Sequence, residues 1–457
     1  MTRTSRRQFF QTAAGVALMP YLFSSVQPIA AQSASNRIKV GCIGCGGMGR
    51  GDAGVFSSIA DVVAVCDVDS VRLDAAANDG HIGRLKPEKF KDYRKMLDRK
   101  DIDVISISTT DHWHVKIAIE AMQAGKHVFC QKPLTLTIEE GQLIRNACKK
   151  FDKLAFQVGT QQRSEEGRHF LNAKILIQKG LLGDVQKITC YIGGSPSSGP
   201  IPVAPVPERL DWDMWLGQAP ITEFLGSSEL SDQGFPRNSR AHGVFRYWYE
   251  YSGGTMTDWG AHHVDSAMWI IGQNGPGQGP VKFNPLTAEH PVPFKDGYPT
   301  EDNRFNTSTR FDIECTFESG TVINLVSHSE FGNGILMEGT KGRIHISRGH
   351  LNGAPIEAIK DEWDQWITED DYIKAFNGKK RESHLRNFMM CVREGGLPIS
   401  DVFSHVQAMN VCHLAAISAR LNREVRYEPT TETTSDSESQ TFLARKRRTG
   451  YDIPNIG

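Results

Sequence analysis

Three features that mark other classes of protein are missing from this 457-residue sequence. Its 52 basic and 53 acidic residues leave a net charge of −1, so nothing points to nucleic acid or an acidic membrane as a partner. The nine cysteines are scattered and odd in number, without the spacing of a zinc site, and we therefore predict no metal. Apolar runs are too short and interrupted for a comfortable transmembrane helix.

What is present is an ordinary globular composition, 39% hydrophobic and 23% charged. The length exceeds what one hydrophobic core serves, so two or three domains are expected. Cys42 and Cys45 have C-x-x-C spacing, which suits redox chemistry as well as packing. Their position inside a glycine-rich turn favours packing.

The most informative stretch begins with an apolar run over residues 38–43, typical of a buried parallel strand. Gly44, Gly46 and Gly49 follow in G-x-G-x-x-G spacing. Such glycines serve the tight turn, the close approach of the backbone to a pyrophosphate, and helix–strand packing. This pattern predicts a dinucleotide-binding loop at a helix N-terminus. The predicted contacts in the loop are Gly44, Gly46, Gly47, Met48 and Gly49.

A second apolar run, residues 62–66, ends in Asp67. This is about 20 residues past the glycines, where an acidic side chain binds the adenosine ribose hydroxyls. The negative charge of Asp67 repels a 2′-phosphate, so we expect NAD rather than NADP. The alternative is a tight turn in another kind of α/β protein.

The first 35 residues have the pattern of an export signal. Residues 4–10, TSRRQFF, match a twin-arginine signature, and a modestly apolar run at 12–26 and an Ala-rich stretch at 28–34 follow. We expect a periplasmic protein delivered by the twin-arginine (Tat) export machinery. An uncleaved membrane anchor and a fortuitous Arg-Arg pair are the alternatives. Because this route carries folded proteins, export and a dinucleotide site together predict a tightly held NAD.

Strand and helix patterns alternate from residue 36 to 158, which predicts a doubly wound parallel sheet of the Rossmann type. The clearest segments are strand 103–108, helix 115–124 and strand 127–130. Ligands of such sheets bind at the carboxyl ends of the strands. His114 and Lys132 both lie at such ends.

Three motifs resemble the Gfo/Idh/MocA family of NAD(P)-dependent sugar and polyol oxidoreductases, especially its exported branches. They are the threonine-rich strand end 109–114, the Gln-Lys-Pro of residues 131–133, and Gly-Gly followed by Asp and His over 253–262. The resemblance covers about residues 36–427. Gln131 departs from the family's glutamate and removes a negative charge beside Lys132.

The resemblance implies an α/β protein with two domains, a Rossmann domain and a C-terminal α+β domain with an open, mostly antiparallel sheet. The predicted boundaries are 1–35 signal peptide, 36–158 NAD-binding domain, 159–427 substrate and oligomerisation domain, and 428–457 polar linker and tail. The second domain's predicted strands are 187–192, 310–317, 322–328 and 343–347. Residues 193–207 are expected as a long surface loop bordering the site. The tail either docks on a neighbouring subunit or frays.

The predicted catalytic residues are Lys132, Asp258 and His262. Asp258 and His262 lie four positions apart on one predicted helix, and a carboxylate one turn away can orient a histidine that takes the proton from an alcohol. The resemblance gives Lys132 the role of binding and polarising the substrate oxygen; whether Lys132 or His262 is the base stays open. Asp265, three residues further, is expected to support structure. The alternative for His262 is a buried structural histidine.

The remaining predicted contacts fall into two sets. On the cofactor side they are Asp67, Thr109, His114, Gln131 and Lys132. On the substrate side they are Arg163, Arg246, Trp248, Tyr249 and His263. An aromatic wall with polar groups suits a sugar. Ordinary core packing is the alternative for the substrate set.

Three functions fit these features. The favoured one is an exported NAD-dependent oxidoreductase acting on a hydroxyl of a sugar, sugar derivative or glycoside, and forming a homo-oligomer as the family does. The second is a redox-neutral glycosidase in which retained NAD oxidises a ring carbon and later returns the hydride. The third is a binding module without turnover, which the intact Lys132 and His262 disfavour.

Overall fold

The first sheet of the protein consists of six parallel strands. The computed structural model describes residues 37–456, so the predicted signal peptide lies outside the described residues. The strands are β1 (Lys39–Ile43), β2 (Asp61–Cys66), β3 (Glu88–Phe90), β4 (Val104–Ile107), β5 (His127–Cys130) and β6 (Phe156–Val158). The helices are α1 (Gly47–Ile59), α2 (Ser70–Ala77), α3 (Tyr93–Leu97), α4 (His114–Gln123) and α5 (Ile138–Lys150). The strand order is β3-β2-β1-β4-β5-β6, all parallel.

The reversal of strand order between β1 and β4 opens the crevice where such sheets bind ligands. At this point Gly44 has φ +90°, and a side chain there would collide with the backbone of Ser108 at the end of β4. A side chain at Gly49 would collide with the carbonyl of Gly44. Both glycines are therefore required by the turn that joins β1 to α1.

The second half of the chain contributes an α+β domain. Its strands are β7 (Val185–Tyr191), β8 (Lys282–Glu289), β9 (Phe294–Lys295), β10 (Tyr298–Pro299), β11 (Arg310–Thr316), β12 (Val322–Val326), β13 (Gly334–Gly339), β14 (Gly342–Ile346), β15 (Leu351–Asn352), β16 (Val425–Glu428) and β17 (Thr433–Thr434). Its helices are α6 (His169–Gln178), α7 (Trp212–Leu216), α8 (Thr255–Asp258), α9 (Gly260–Ile270), α10 (Ala354–Ala358), α11 (Trp363–Trp366), α12 (Glu369–Ala375), α13 (His384–Glu394), α14 (Val402–Leu421) and α15 (Ser437–Gln440).

Nine of these strands form one sheet in the order β15-β14-β13-β7-β12-β11-β8-β16-β17. Only the β7–β12 pair among them is parallel. Alternation along the strands explains the layering, since β11 buries Phe311, Ile313 and Cys315 against the helices α6, α9 and α14. The predicted fold class, a Rossmann sheet followed by an open and mostly antiparallel sheet, is confirmed.

The connection between β7 and α8, residues 192–254, is the longest segment with little regular structure among residues 37–456. It forms a small apolar core of its own around Trp215, Trp248 and Tyr251. Residues 193–207, predicted as a surface loop, begin this connection, and Val203 makes an isolated bridge to Leu225. The connection therefore has a defined shape despite its composition.

The tail differs from its prediction. We expected a polar linker to begin at residue 428, whereas residues 428–440 include β17 and α15, and Arg423 binds Asp436 at 2.7 Å. The last residues dock on the same chain rather than fraying: Tyr451 packs edge-on against Trp113, and Ile453 lies in the core beside the first sheet. The burial of a few apolar side chains stabilises this tail, and the polar composition of the segment gives no sign of that burial.

Helix α13 completes the first domain from the far end of the sequence. Its Phe388 packs against Phe56 of α1 and Phe129 of β5, on one face of the parallel sheet. The core of the Rossmann domain thus includes residues far beyond position 160.

Across residues 37–456 no helix has the length and apolarity needed to cross a membrane.

Candidate active site

An ion pair between the two domains marks the site. Lys132 follows β5 of the first domain, and its Nζ lies 2.7 Å from Oδ1 of Asp258 at the end of α8. The same ammonium donates to the main-chain carbonyl of Asp258 at 3.0 Å. Both side chains are largely buried, at 11% and 16% exposure. The contact therefore sets the position of the lysine relative to the second domain.

Asp258 also faces a second cation. Arg246 Nε lies 3.6 Å from Oδ1 of Asp258, and the arginine side chain remains one-third exposed. Burial alone raises the pKa of a carboxyl, but the charges of Lys132 and Arg246 outweigh it and lower the pKa of Asp258 to about 2. Asp258 is thus a carboxylate at any working pH.

His262 lies one helical turn beyond Asp258, on α9, and is nearly buried. Burial, and next the charge of Lys132, lower its pKa well below the usual value. The imidazole is therefore neutral at neutral pH. Its Nδ1 is buried and has no hydrogen-bond partner among the described residues. A buried orphan nitrogen beside Lys132 is what a site that receives a ligand proton requires.

A second acid enters the site without having been predicted. Asp111, just past β4, is buried and accepts a hydrogen bond from Ser252 Oγ at 2.6 Å. Burial raises the pKa of Asp111 to about 7. The negative charge of Asp258 acts in the same direction, whereas the positive charges of Arg246 and Lys132 act against it. Its position at the carboxyl end of a parallel strand was the signal that could have found it.

The glycine loop has the features that a pyrophosphate needs. Helix α1 begins at Gly47, and no side chain caps its first N–H groups. Met48 in this first turn is exposed. Asp67, at the end of β2, accepts hydrogen bonds from the N–H of Cys45 at 2.6 Å and the N–H of Asp69 at 2.8 Å. Free N–H groups at a helix N-terminus and a fixed carboxylate beside them fit a dinucleotide.

The other predicted cofactor contacts lie at the same edge of the sheet, in two layers. Thr109 is half-buried and lies two residues after β4. His114 lies deeper: its Nδ1 is 2.7 Å from the carbonyl of Pro133, and it is buried. His114 therefore orients the turn after Lys132 rather than contacting a cofactor, which corrects the prediction. Gln131 is buried and directed at Asp52 of α1.

Arg163 is not a substrate contact. It is fully buried and forms a two-pronged pair with Asp265, at 2.8 and 2.7 Å. His405 also reaches Asp265, at 2.8 Å. Since a buried arginine must be paired, the prediction had mistaken a structural ion pair for a binding group. Asp265 supports structure, as expected.

Three further substrate predictions are wrong because the side chains are buried inside the protein. Trp248 is buried, donates from Nε1 to the carbonyl of Ser239, and packs within the 192–254 connection. Tyr249 is buried too, with its hydroxyl near His290. His263 is fully buried, with Nε2 2.7 Å from Oδ1 of Asn333. Of the substrate-side set, Arg246 alone faces Asp258 and keeps an exposed surface.

A parallel nucleotide-type sheet, an uncapped glycine loop at its switch point, and a Lys–Asp pair with a neutral histidine define the class of dinucleotide-binding oxidoreductases. Family models agree with this class. The model of an oxidoreductase family with an NAD-binding Rossmann fold matches residues 38–160, and that of its C-terminal alpha/beta domain matches residues 174–453. The chain belongs to the Gfo/Idh/MocA family, as its motifs predicted, and its first domain is an NAD-binding Rossmann domain.

Curated relatives share part of the chain. An inositol 2-dehydrogenase of Salmonella typhimurium is 32% identical over 150 residues, 32% of this chain and 43% of that protein. A glycosyl hydrolase family 109 protein 2 of a Shewanella species is 33% identical over 166 residues, 33% of this chain and 34% of that protein. The chain thus matches less than half the length of each.

Solved structures share the fold over most of the chain. The WlbA dehydrogenase from Bordetella pertussis, in complex with NADH and UDP-GlcNAcA, has a TM-score of 0.56 at 18% identity, covering 85% of this chain and 98% of that one. A levoglucosan dehydrogenase in complex with NADH and levoglucosan has a TM-score of 0.58 at 18% identity, covering 85% and 99%. At this identity the likeness concerns the fold.

Proposed function

We propose that the protein is an NAD-dependent oxidoreductase that acts on a hydroxyl or keto group of a sugar, sugar derivative or glycoside. The observation that carries this proposal is the Lys132–Asp258 pair at 2.7 Å, with neutral His262 one turn away and the glycine loop on the same sheet edge. The named activities of the partial relatives and the sugars bound by the fold neighbours support the same substrate class.

The residues divide the work as follows. When bound at the glycine loop and Asp67, NAD⁺ supplies the hydride acceptor. Lys132 donates a hydrogen bond to the substrate oxygen and stabilises its negative charge during oxidation. Asp258 holds the lysine in place, and Arg246 adds a second donor at the exposed rim. His262 is the neutral group beside the lysine, and its orphan Nδ1 can hold the proton that the hydroxyl releases.

We also propose that the protein is exported with its cofactor in place. The twin-arginine pattern at residues 4–10 supports export to the periplasm through the Tat machinery, which carries folded proteins. A tightly held NAD then follows, since it must be taken up before export. We propose in addition a homo-oligomer formed through the open face of the nine-stranded sheet, which light scattering on the purified protein would measure.

The redox-neutral glycosidase is a second candidate, and Asp111 favours it. A ring carbon would pass its hydride to NAD⁺ at the glycine loop, so that a base could remove the acidified neighbouring proton while the glycosidic bond breaks. The departing oxygen then needs a proton. A buried carboxyl with a pKa near 7, beside Lys132 and Arg246, suits that role. Addition of water to the resulting double bond and return of the hydride would complete the hydrolysis. The partial match to a glycosyl hydrolase family 109 protein supports the same candidate.

One experiment separates these functions. The protein is purified from the periplasm, the released nucleotide is weighed by mass spectrometry, and the intact protein is offered myo-inositol, levoglucosan, glucose and 4-nitrophenyl glycosides. Growth of absorbance at 340 nm supports the oxidoreductase. Release of 4-nitrophenol without lasting absorbance at 340 nm supports the glycosidase. An empty site that also fails to bind added NAD would overturn both.

A further inference from the structure

A buried carboxylate on the cofactor helix reaches the catalytic strand end. Asp52 lies in α1, five residues past the start of the helix at Gly47, and is only 5% exposed. Its Oδ2 accepts hydrogen bonds from Gln131 Nε2 and from Ser108 Oγ, both at 2.9 Å. Gln131 directly precedes Lys132. One carboxylate therefore ties together the cofactor helix, the end of β4 and the end of β5.

Burying the carboxylate of Asp52 without a cationic partner costs folding free energy, which calls for a functional reason. No lysine, arginine or histidine forms a salt bridge with Asp52 among residues 37–456. Burial raises the pKa of Asp52 to about 6, against the effect of its two hydrogen bonds. A buried acid held only by neutral donors is destabilising, and such groups concentrate at functional sites.

Asp52 and Gln131 are complementary to each other. The family pattern has glutamate where this chain has Gln131, and a glutamate carboxylate there would face Asp52 across 2.9 Å. Two carboxylates at that distance cannot both be charged. The amide of Gln131 instead donates to Asp52. The negative charge that the family carries at the position of Gln131 is thus carried here by Asp52 on α1.

The surroundings leave Gln131 little freedom. Its main-chain N–H donates to the carbonyl of Ile107 at 2.8 Å. A side chain at Gly159, at the end of β6, would collide with the Gln131 amide. Turning the amide away from Asp52 would thus disturb the strand end that carries Lys132.

We propose that Asp52 is a positioning residue of this enzyme: its carboxylate holds Gln131, and through it Lys132, in register with the cofactor helix, and it takes the place of the acidic residue missing before Lys132. This inference rests on the proposed role of Lys132 in hydride transfer to bound NAD. The acid and the amide at positions 52 and 131 can therefore be exchanged together, whereas changing either residue alone impairs the enzyme.

The test is a charge swap in the full-length holoenzyme, with variants Asp52→Asn, Gln131→Glu and the double Asp52→Asn/Gln131→Glu. Exposed Asp98→Asn is the control for loss of one carboxylate. Two quantities are measured at pH 8. One is the first-turnover rate of reduction of bound NAD⁺ by whichever panel sugar is active, and the other, after the bound nucleotide has been removed, is the Kd for NADH by fluorescence. Thermal melting accompanies each variant.

We expect Gln131→Glu to slow the first turnover at least 30-fold and to raise the Kd for NADH at least fivefold, less so at pH 5, where the two carboxyls can share a proton. The double variant should return both quantities to within threefold of the parent. Asp52→Asn alone should slow the first turnover about tenfold. A swap that is no better than Gln131→Glu, or an Asp52→Asn variant that equals the Asp98→Asn control, would overturn the proposal.

Two failures remain distinguishable. If no sugar reduces the cofactor in the parent, the proposed substrate class fails, and the NADH affinities of the four proteins alone decide the role of Asp52. If Gln131→Glu does not fold, the comparison is between Asp52→Asn and the double variant. A double variant that binds NADH more tightly than Asp52→Asn then supports the exchange, and a weaker one contradicts it.

Discussion

His242 Nε2 lies 2.8 Å from Oδ2 of Asp69, and this contact joins the 192–254 connection to the turn after β2. Asp69 is fully buried and also receives Arg209 Nε on both oxygens, at 2.9 and 2.8 Å. The same carboxylate caps α2 through two backbone N–H groups. Because Asp67 lies two residues earlier, the second domain is fastened beside the predicted ribose contact.

This fastening predicts slow exchange of the cofactor. In Arg209→Gln the buried carboxylate of Asp69 loses its permanent cation, so the connection should open more readily over the adenosine end. A loss of about 1.4 kcal/mol would speed dissociation of NAD about tenfold. The measurement is the NAD that stays bound after dilution and gel filtration, followed over time. The exposed Arg237, paired with Glu229 in the same connection, supplies the matched control Arg237→Gln. Equal retention in both variants would show that the contact does not hold the cofactor.

Lys132 gives the next prediction. Lys132→Met removes the donor to the substrate oxygen and leaves the glycine loop and Asp67 intact. We expect turnover to fall about 10²–10³-fold, the size of effect seen when one charge-stabilising donor is removed. NADH titration should show binding close to the parent. Lys89→Met, which removes an exposed lysine paired with Asp74, is the control. A Lys132→Met variant with unchanged activity would remove this residue from the mechanism.

Two adjacent histidines provide an internal comparison. His262→Gln should lower turnover about 10²–10⁴-fold, the usual contribution of a proton-transfer group, with little change in melting temperature. His263→Gln should do the opposite, because His263 is buried and bonded to Asn333 away from the reacting centre. An unsatisfied buried partner costs about 1–3 kcal/mol, which melting would detect. If His263→Gln proves the inactive variant, the two roles are exchanged.

The elements built from local pattern were predictable. Alternation and apolar runs gave β5 at its observed bounds and placed β4, β7, β11, β12 and β14 within two residues at each end. The strands β8, β13 and β16 were not predicted. The short strands β15 and β17 were missed as well, since two residues carry no periodicity. The docked tail escaped too, because its burial comes from contacts with Trp113 on a distant element.

Site residues that belong to sequence motifs could be predicted. Burial, which separates structural polar residues from functional ones, could not be predicted from the sequence. Lys132 and Asp258 form the ion pair that the motifs brought together, and the charge of Lys132 acts on His262. The catalytic roles of all three stay predictions. Arg163 and Asp265 look equally functional in sequence, yet they neutralise each other in the core. Asp111 follows a predicted strand and could have been found there, whereas the role of Asp52 depends on which strand ends become neighbours, which only the sheet order settles.

Buried histidines predict how stability responds to acid. Burial lowers the pKa of seven of them to about 3 or 4: His112, His114, His242, His263, His290, His384 and His413. In the unfolded chain a histidine has a pKa of about 6.5, so between pH 6.5 and 4 the unfolded state binds more protons and the free energy of unfolding falls on acidification.

Burial raises the pKa of Asp52, Asp111 and Glu140 to about 6 or 7, which acts in the opposite direction over the same range. The histidines outnumber these acids, so the melting temperature should be lower at pH 5 than at pH 7 by more than about 5 °C, since 1 kcal/mol shifts it by roughly 2–4 °C in a domain of about 150–250 residues. Calorimetry across this range measures it, and a melting temperature that rises on acidification would mean that these imidazoles are charged in the folded protein.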